Sequence, residues 1–224
     1  MSAVGVRQGR NGGGELMADR AYSQLRDRIV TLAIAPGAPI NEDALGREFE
    51  MGRTPVREAI QRLALENLVT VFPRRGTFAS EINITDLAAI SDVRAVLEGH
   101  AAYRAAERIT PAQLVELEQL LAELRGAGAD ADADAATLMV LDARVHRLIH
   151  RCAANPYLEQ TLSRYFNLSL RIWYLVLGRL PHLPARVHEH GDLLEAIRAR
   201  DPERSREVIA AHITTFEQEI RAVL

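Results

Sequence analysis

The stretch "LDARVHRLIHRC", residues 141–152, sets Asp142, His146 and His150 at successive intervals of four. Such steps stack side chains along one face of a helix, and a carboxylate beside an imidazole is the beginning of a site for a divalent cation. Farther on, His190 is followed on its own face by Leu193, Leu194 and Ile197, and His212 lies among Val208, Ile209 and Phe216. Asp142 and His146 share their face with Met139 and Ile149. Each polar group therefore sits on the apolar side of its helix, where an unpaired polar group costs about 1–3 kcal/mol. A single histidine there is ordinarily a hydrogen-bonded core residue. Three histidines and an aspartate on three helices are satisfied together by one shared divalent ion. Zinc, nickel, manganese and iron all suit imidazole and carboxylate ligands, and no thiolate selects among them. His150 has no evident partner, and with His100, His182 and His188 it reads as structural or surface.

A second set of residues suits phosphate and base edges. In "GRTPVREAIQRL", residues 52–63, turning Val56, Ile60 and Leu63 inward leaves Arg53, Thr54 and Arg57 outside, near the start of a helix. A helix N-terminus carries free N–H groups and partial positive charge, and arginine can bridge O6 and N7 of guanine. "PRRG", residues 73–76, sets Arg74 and Arg75 beside Gly76, which permits close approach to a backbone or a minor groove. Taken alone, these charges are a solvated helix and turn. On consecutive elements of one unit they point to double-stranded DNA.

The charge distribution agrees. The formal net charge is −3, but residues 20–80 hold nine arginines against seven acids, and residues 81–224 hold sixteen against twenty-one. All 27 basic residues are arginine, so every phosphate or carboxylate contact can be bidentate. With 224 residues and 48% hydrophobic composition, the chain can bury one large core or two modest ones. No apolar run is long enough for a membrane span and the start lacks a signal-peptide core, so a cytoplasmic location is expected. The single cysteine, Cys152, excludes an internal disulfide and reads as a small buried hydrophobe.

Those residues need elements to hold them. Residues 1–18 are Gly-rich and aperiodic, a disordered tail, with Met17 a possible start; Tyr22, Leu25, Ile29 and Leu32 then mark a helix from Asp19, stopped by "APG" at 35–37. Asn41 caps a second helix, and Thr54 with Pro55 at the first position begins a third that ends at Asn67. "LVTVF" and "TFAS" flank the turn "PRRG" as a hairpin, completing a winged helix-turn-helix over residues 19–80. Residues 85–224 are helical throughout, with helices expected at 85–108, 110–125, 134–153, 156–180, 184–200 and 202–224, and "ADADADAA" is a low-complexity loop. The fold class is mainly α, a winged domain followed by an all-α bundle of six or seven helices.

The segment "PGAPINEDALGREFEMGRTPVREAIQRLALENLVTVFPRRGTFAS" resembles the DNA-binding domain of the GntR family of bacterial transcription regulators. The resemblance implies that Arg53, Thr54, Arg57, Arg75 and Gly76 contact operator DNA, with Arg47 a phosphate contact. Departures are Gly52 for the usual Ser or Thr, Asn67 for Gly, and Leu32 for a common Gly. "DVRAVLEGHAAYRAA", "LDARVHRLIHRCAANPYL" and "HEHGDLLEAIRARDPERSREVIAAHI" resemble successive segments of the FCD domain, the effector-binding domain of the FadR branch of that family. This likeness implies a homodimer that binds a small carboxylic acid, with Asp142, His146, His190 and His212 as metal ligands. It also implies Arg94 as partner of the acid; the plain alternative for Arg94 is a salt bridge to Glu98 at i+4.

The leading expectation is therefore a transcription factor, most often a repressor in this family, governed by an organic acid. A direct metal sensor is the alternative within the same class. A metal-dependent hydrolase is the alternative from another class, and it lacks a general acid or base next to the ligands comparable to the Glu of "HExxH".

Overall fold

The computed structural model describes residues 12–129, 134–180 and 183–224. The chain divides into two compact units, Met1–Ile82 and Asn83–Leu224.

In the first unit α1 (Gly12–Val30), α2 (Glu42–Glu48) and α3 (Arg53–Leu65) pack beside a small sheet of β1 (Pro39–Ile40), β2 (Val69–Phe72) and β3 (Gly76–Ala79). The sheet order is β1-β3-β2, all antiparallel, with Ile40 opposite Thr77 and Phe72 opposite Gly76. Leu25, Ile29, Phe49, Val56, Ile60, Leu63 and Leu68 make the core. α1 and α3 are also tied by polar contacts: the Tyr22 hydroxyl donates to Glu66 at 2.9 Å, and the Arg62 guanidinium lies 4.1 Å over the Tyr22 ring. β1 was not anticipated, because two residues carry no period.

Two boundaries differ from the sequence reading. α1 begins at Gly12, so residues 12–18 are helical rather than tail, and only residues 1–11 of that expected tail lie outside the described residues. Burial of Ala18, Ala21, Tyr22 and Leu25 anchors this helix, and once nucleated a helix propagates at little cost even through poor formers. α3 begins at Arg53, so Gly52 rather than Thr54 is its N-cap and Pro55 is its third residue. Proline is tolerated there because the first four N–H groups have no intrahelical partner. Gly52 supplies no side-chain cap bond.

The second unit contains α4 (Leu87–Arg108), α5 (Pro111–Ala129), α6 (Ala135–Cys152), α7 (Pro156–Val176), α8 (Leu183–His188), α9 (His190–Arg198) and α10 (Pro202–Val223). α4 is central and packs on α6, α7, α9 and above all α10. Buried Ala101, Ala102, Ala105 and Ala106 let α10 come close, and Arg206 Cγ approaches within 3.3 Å of where a Cβ on Gly99 would sit. The expected helix 156–180 stops at Val176 and ends in a 3-10 turn, Leu177–Arg179. The expected helix 184–200 divides at Glu189 into α8 and α9. The cause is local: His190 Nδ1 takes the Val187 carbonyl at 3.1 Å, a side-chain bond that competes with the backbone ladder. α5 runs on to Ala129, so part of the expected loop is helical, and residues 130–133 of "ADADADAA" lie outside the described residues.

Candidate metal centre and nucleic-acid interface

α6, α9 and α10 each present histidine or aspartate to one interior point. Asp142, His146, His190 and His212 are buried, and one ligand atom from each lies within 4.8 Å of the others. His146 Nε2 and His190 Nε2 are 3.2 Å apart, and Asp142 Oδ1 is 3.5 Å from the latter and 3.9 Å from the former.

The other nitrogen of each ring is already committed. His146 Nδ1 meets Glu98 Oε2, His190 Nδ1 meets the Val187 carbonyl at 3.1 Å, and His212 Nδ1 lies 3.4 Å from Glu189 Oε2. Oxygens of these kinds accept, so a ring with its proton on Nδ1 would satisfy each contact and leave Nε2 with a lone pair. In that tautomer the two Nε2 atoms, 3.2 Å apart beside a carboxylate, form a donor set that a cation would satisfy. His212 Nε2 and Asp142 Oδ2 have no hydrogen-bond partner, which fits the same donor set. Burial, joined by the charges that His212 and His146 would carry, pushes the His190 pKa well below its ordinary value, so its ring stays neutral as ligation requires. Burial also raises the Asp142 carboxyl, against the pull of His146 and His212.

Glu98 was not singled out as a site residue from sequence, where it figured only as a salt-bridge partner for Arg94. It is 0% exposed, with Oε1 accepting from Arg94 Nε at 2.7 Å and Oε2 facing His146. Arg94 Nη2 comes within 2.6 Å of the same Oε1 without the alignment of a second hydrogen bond. Burial would raise the Glu98 carboxyl, but Arg94 and His146 reverse this and hold it well below the carboxylate range. The Arg94 guanidinium also lies 5.0 Å from the Phe166 ring and 4.9 Å from Trp173. Phe166 in turn packs on His146 with centroids 4.7 Å apart.

His150 falls outside the four-residue set. It is buried, its Nε2 lies 3.5 Å from Glu98 Oε2, and neither ring nitrogen makes a hydrogen bond. Burial lowers its pKa. Thus "LDARVHRLIHRC" serves two neighbouring groups, Asp142 with His190 and His212, and His150 with Glu98, while His146 belongs to both. His100 and His188 are exposed, and His182 lies outside the described residues. A cleft of about 360 Å³ borders His212 and is lined by Glu189, Asp192, Arg204 and Glu207. Burial raises the Cys152 thiol to about 12, which makes it an inert core residue.

In the first unit, Arg53, Thr54 and Arg57 are exposed at the start of α3, and Arg47 is exposed at the end of α2. Arg53 Nε is held 2.9 Å from Asp43 Oδ1, and Arg57 Nε 2.7 Å from Glu42 Oε2. The first-turn acids of α2 therefore serve its dipole and align the two arginines as well. Arg75 is exposed in the β2–β3 turn and Gly76 at the first position of β3; Arg74 has φ +65° and Gly76 φ +109°, a conformation that suits glycine at the latter.

Comparison with known proteins bears on both units. The pattern described as "Bacterial regulatory proteins, gntR family" matches residues 17–79, and that of the FCD domain matches residues 89–215. The chain is similar to the HTH-type transcriptional repressor RspR of Escherichia coli K12, 28% identical over 202 residues that cover 90% of this chain and 88% of that protein. It is also similar to the galactonate operon transcriptional repressor of the same organism, 26% identical over 226 residues, 92% of this chain and 97% of that one. In structure it is similar to E. coli McbR/YncC, with a TM-score of 0.78 at 24% identity over 92% of this chain and 97% of that one, a likeness of fold. No described helix is long and apolar enough to cross a membrane.

Proposed function

Since the chain belongs to the gntR family of bacterial regulatory proteins and carries the FCD domain, we propose that it is a repressor whose hold on operator DNA answers to a small carboxylic acid bound at a metal centre. The family membership makes it a transcription regulator and not an enzyme. Asp142, His146, His190 and His212 hold the ion, and the observation that carries this is the convergence of their four buried ligand atoms within 4.8 Å of one another. A bound divalent ion, zinc, nickel, manganese or iron, supplies a Lewis-acidic position for a carboxylate. Arg94, anchored on Glu98 by one edge, has further N–H groups for the same acid.

On the DNA side, Arg53, Thr54 and Arg57 read the major groove, Arg75 and Gly76 of the wing approach the backbone or minor groove, and Arg47 takes a phosphate. A homodimer sets two recognition helices on successive half-sites. The acid acts only through its difference in affinity between the DNA-bound and free forms.

The test is fluorescence anisotropy of the full-length protein on an operator selected from random duplexes, with and without zinc and a panel of carboxylic acids. Operator affinity should fall about 5- to 150-fold with the right acid, and only in the metal-loaded protein. A response to zinc alone, reversed by a chelator, would identify a metal sensor instead. His190→Ala and His212→Ala should each lose bound metal; metal content unchanged in both would overturn the site.

A further inference from the structure

Glu98 is a fully buried carboxylate that ligates nothing in the four-residue set; Arg94 meets one of its oxygens, and His146, with His150 farther off at 3.5 Å, faces the other. Arg94 can only donate, and it occupies Oε1 through Nε at 2.7 Å. His146 can donate or accept at either nitrogen, and its Nδ1 faces Oε2. We propose that Glu98 is a positioning residue that chooses which nitrogen of His146 bears the proton, and that Arg94 makes the choice compulsory by fixing which carboxylate oxygen remains. This rests on the metal-centre reading given above and adds the device that keeps one ligand in its ligating form.

Donor and acceptor counts decide the tautomer. A carboxylate offers two acceptors, so Arg94 and an Nδ1–H of His146 are both satisfied, and His146 Nε2 faces the cluster with a lone pair. His190 is set in the same sense by a peptide carbonyl, which cannot be changed by substitution, and His212 by a half-exposed Glu189 at 3.4 Å. His146 is therefore the ligand whose tautomer hangs on one replaceable, buried side chain. The packing of Phe166 on its ring keeps the ring from evading the choice by rotation.

Glu98→Gln is nearly isosteric and inverts the count. A carboxamide has one acceptor and one donor end; Arg94 claims the oxygen, so the NH2 turns to His146. The ring then accepts at Nδ1, its single proton moves to Nε2, and the ligating lone pair is gone. Arg94→Met together with Glu98→Gln removes the competing donor, frees the carboxamide to turn its oxygen to His146, and restores the ligating tautomer.

The experiment uses the full-length protein with 15N-labelled histidine, and zinc as the probe ion. In metal-free wild type, long-range 1H–15N correlations should show His146 as Nδ1–H, and in Glu98→Gln as Nε2–H. Zinc affinity, by chelator competition, should fall about 10- to 100-fold in Glu98→Gln and recover most of that loss in the double variant; the thermal midpoint of metal-free Glu98→Gln falls because buried Arg94 loses its counter-charge, and circular dichroism confirms that the variant is folded at the temperature of the titration. His146 found as Nε2–H in the wild type overturns the proposal without any variant having to fold. So does a loss of zinc affinity in Glu98→Gln with the tautomer unchanged, or a double variant that binds no better than the single one. Wild type that binds no zinc defeats the metal reading instead, and the tautomer measured on the metal-free protein still decides this one.

Discussion

Histidine 190 and histidine 150 are both enclosed, and both have pKa values pushed down by burial. In the metal-free protein this gives a definite pH dependence. Above about pH 6.5 the rings are neutral whether the chain is folded or unfolded, so neither affects stability. Below it the unfolded chain takes up protons that the folded one refuses, and each histidine costs up to about 1.4 kcal/mol per pH unit until its own folded pKa is reached. Urea midpoints of the metal-stripped protein should therefore fall between pH 7 and pH 5.5, and His150→Phe should flatten the fall; a midpoint level across that range would contradict it. The same residues show what spacing can and cannot tell. Asp142, His146, His190 and His212 were legible because each stands in an apolar stripe, an environment in which a lone polar group is costly. Glu98 was not, because Arg94 and Glu98 four apart look like any exposed helical ion pair, and only the packing of α4 against α6 and α7 takes them out of water.

Among the elements, helix existence was legible and helix ends were not. Apolar periodicity marks a face over many residues, whereas an end is decided by one or two contacts, such as the Val187 carbonyl bond that separates α8 from α9. The hairpin could be read because "PRRG" demands a turn; β1 could not, because it exists only through its pairing with β3. The left-handed residues tell a related story. Asn67, expected as a terminator, has φ +64°, and Leu32, noted as departing from a common glycine, has φ +60°. Ala154, just past the end of α6, is exposed at φ +51° with its N–H bonded to the Arg151 carbonyl at 3.1 Å. That conformation costs an L-residue roughly 1–2 kcal/mol, partly offset by the entropy glycine loses on folding. Ala154→Gly should stabilise the second unit by about 0.5–1 kcal/mol and raise its midpoint by roughly 2–4 °C, since almost no side-chain contact is lost; a lower midpoint would show that the backbone there is not under strain.

For the whole molecule, the division into Met1–Ile82 and Asn83–Leu224 gives each half its own core and its own chemistry. The two stretches differ in charge, nine arginines against seven acids in residues 20–80 and sixteen against twenty-one in residues 81–224, but the place to divide them came from the order of the elements. A ligand that binds only the second unit stabilises that unit by about 4 kcal/mol at a thousand-fold excess over its Kd. Calorimetry of the full chain should accordingly show zinc raising one transition and leaving the other in place; equal displacement of both would mean that the halves unfold as one. Three of the four candidate ligands are at most 1% exposed and His212 is 6% exposed, beside a cleft whose lining includes Glu189, Asp192 and Glu207. An ion held there, as proposed, would exchange with its surroundings more slowly than its affinity alone suggests. Its arrival would be drawn by the carboxylates and slowed by salt, so the loaded or empty state of such a centre would outlast a brief change in free metal.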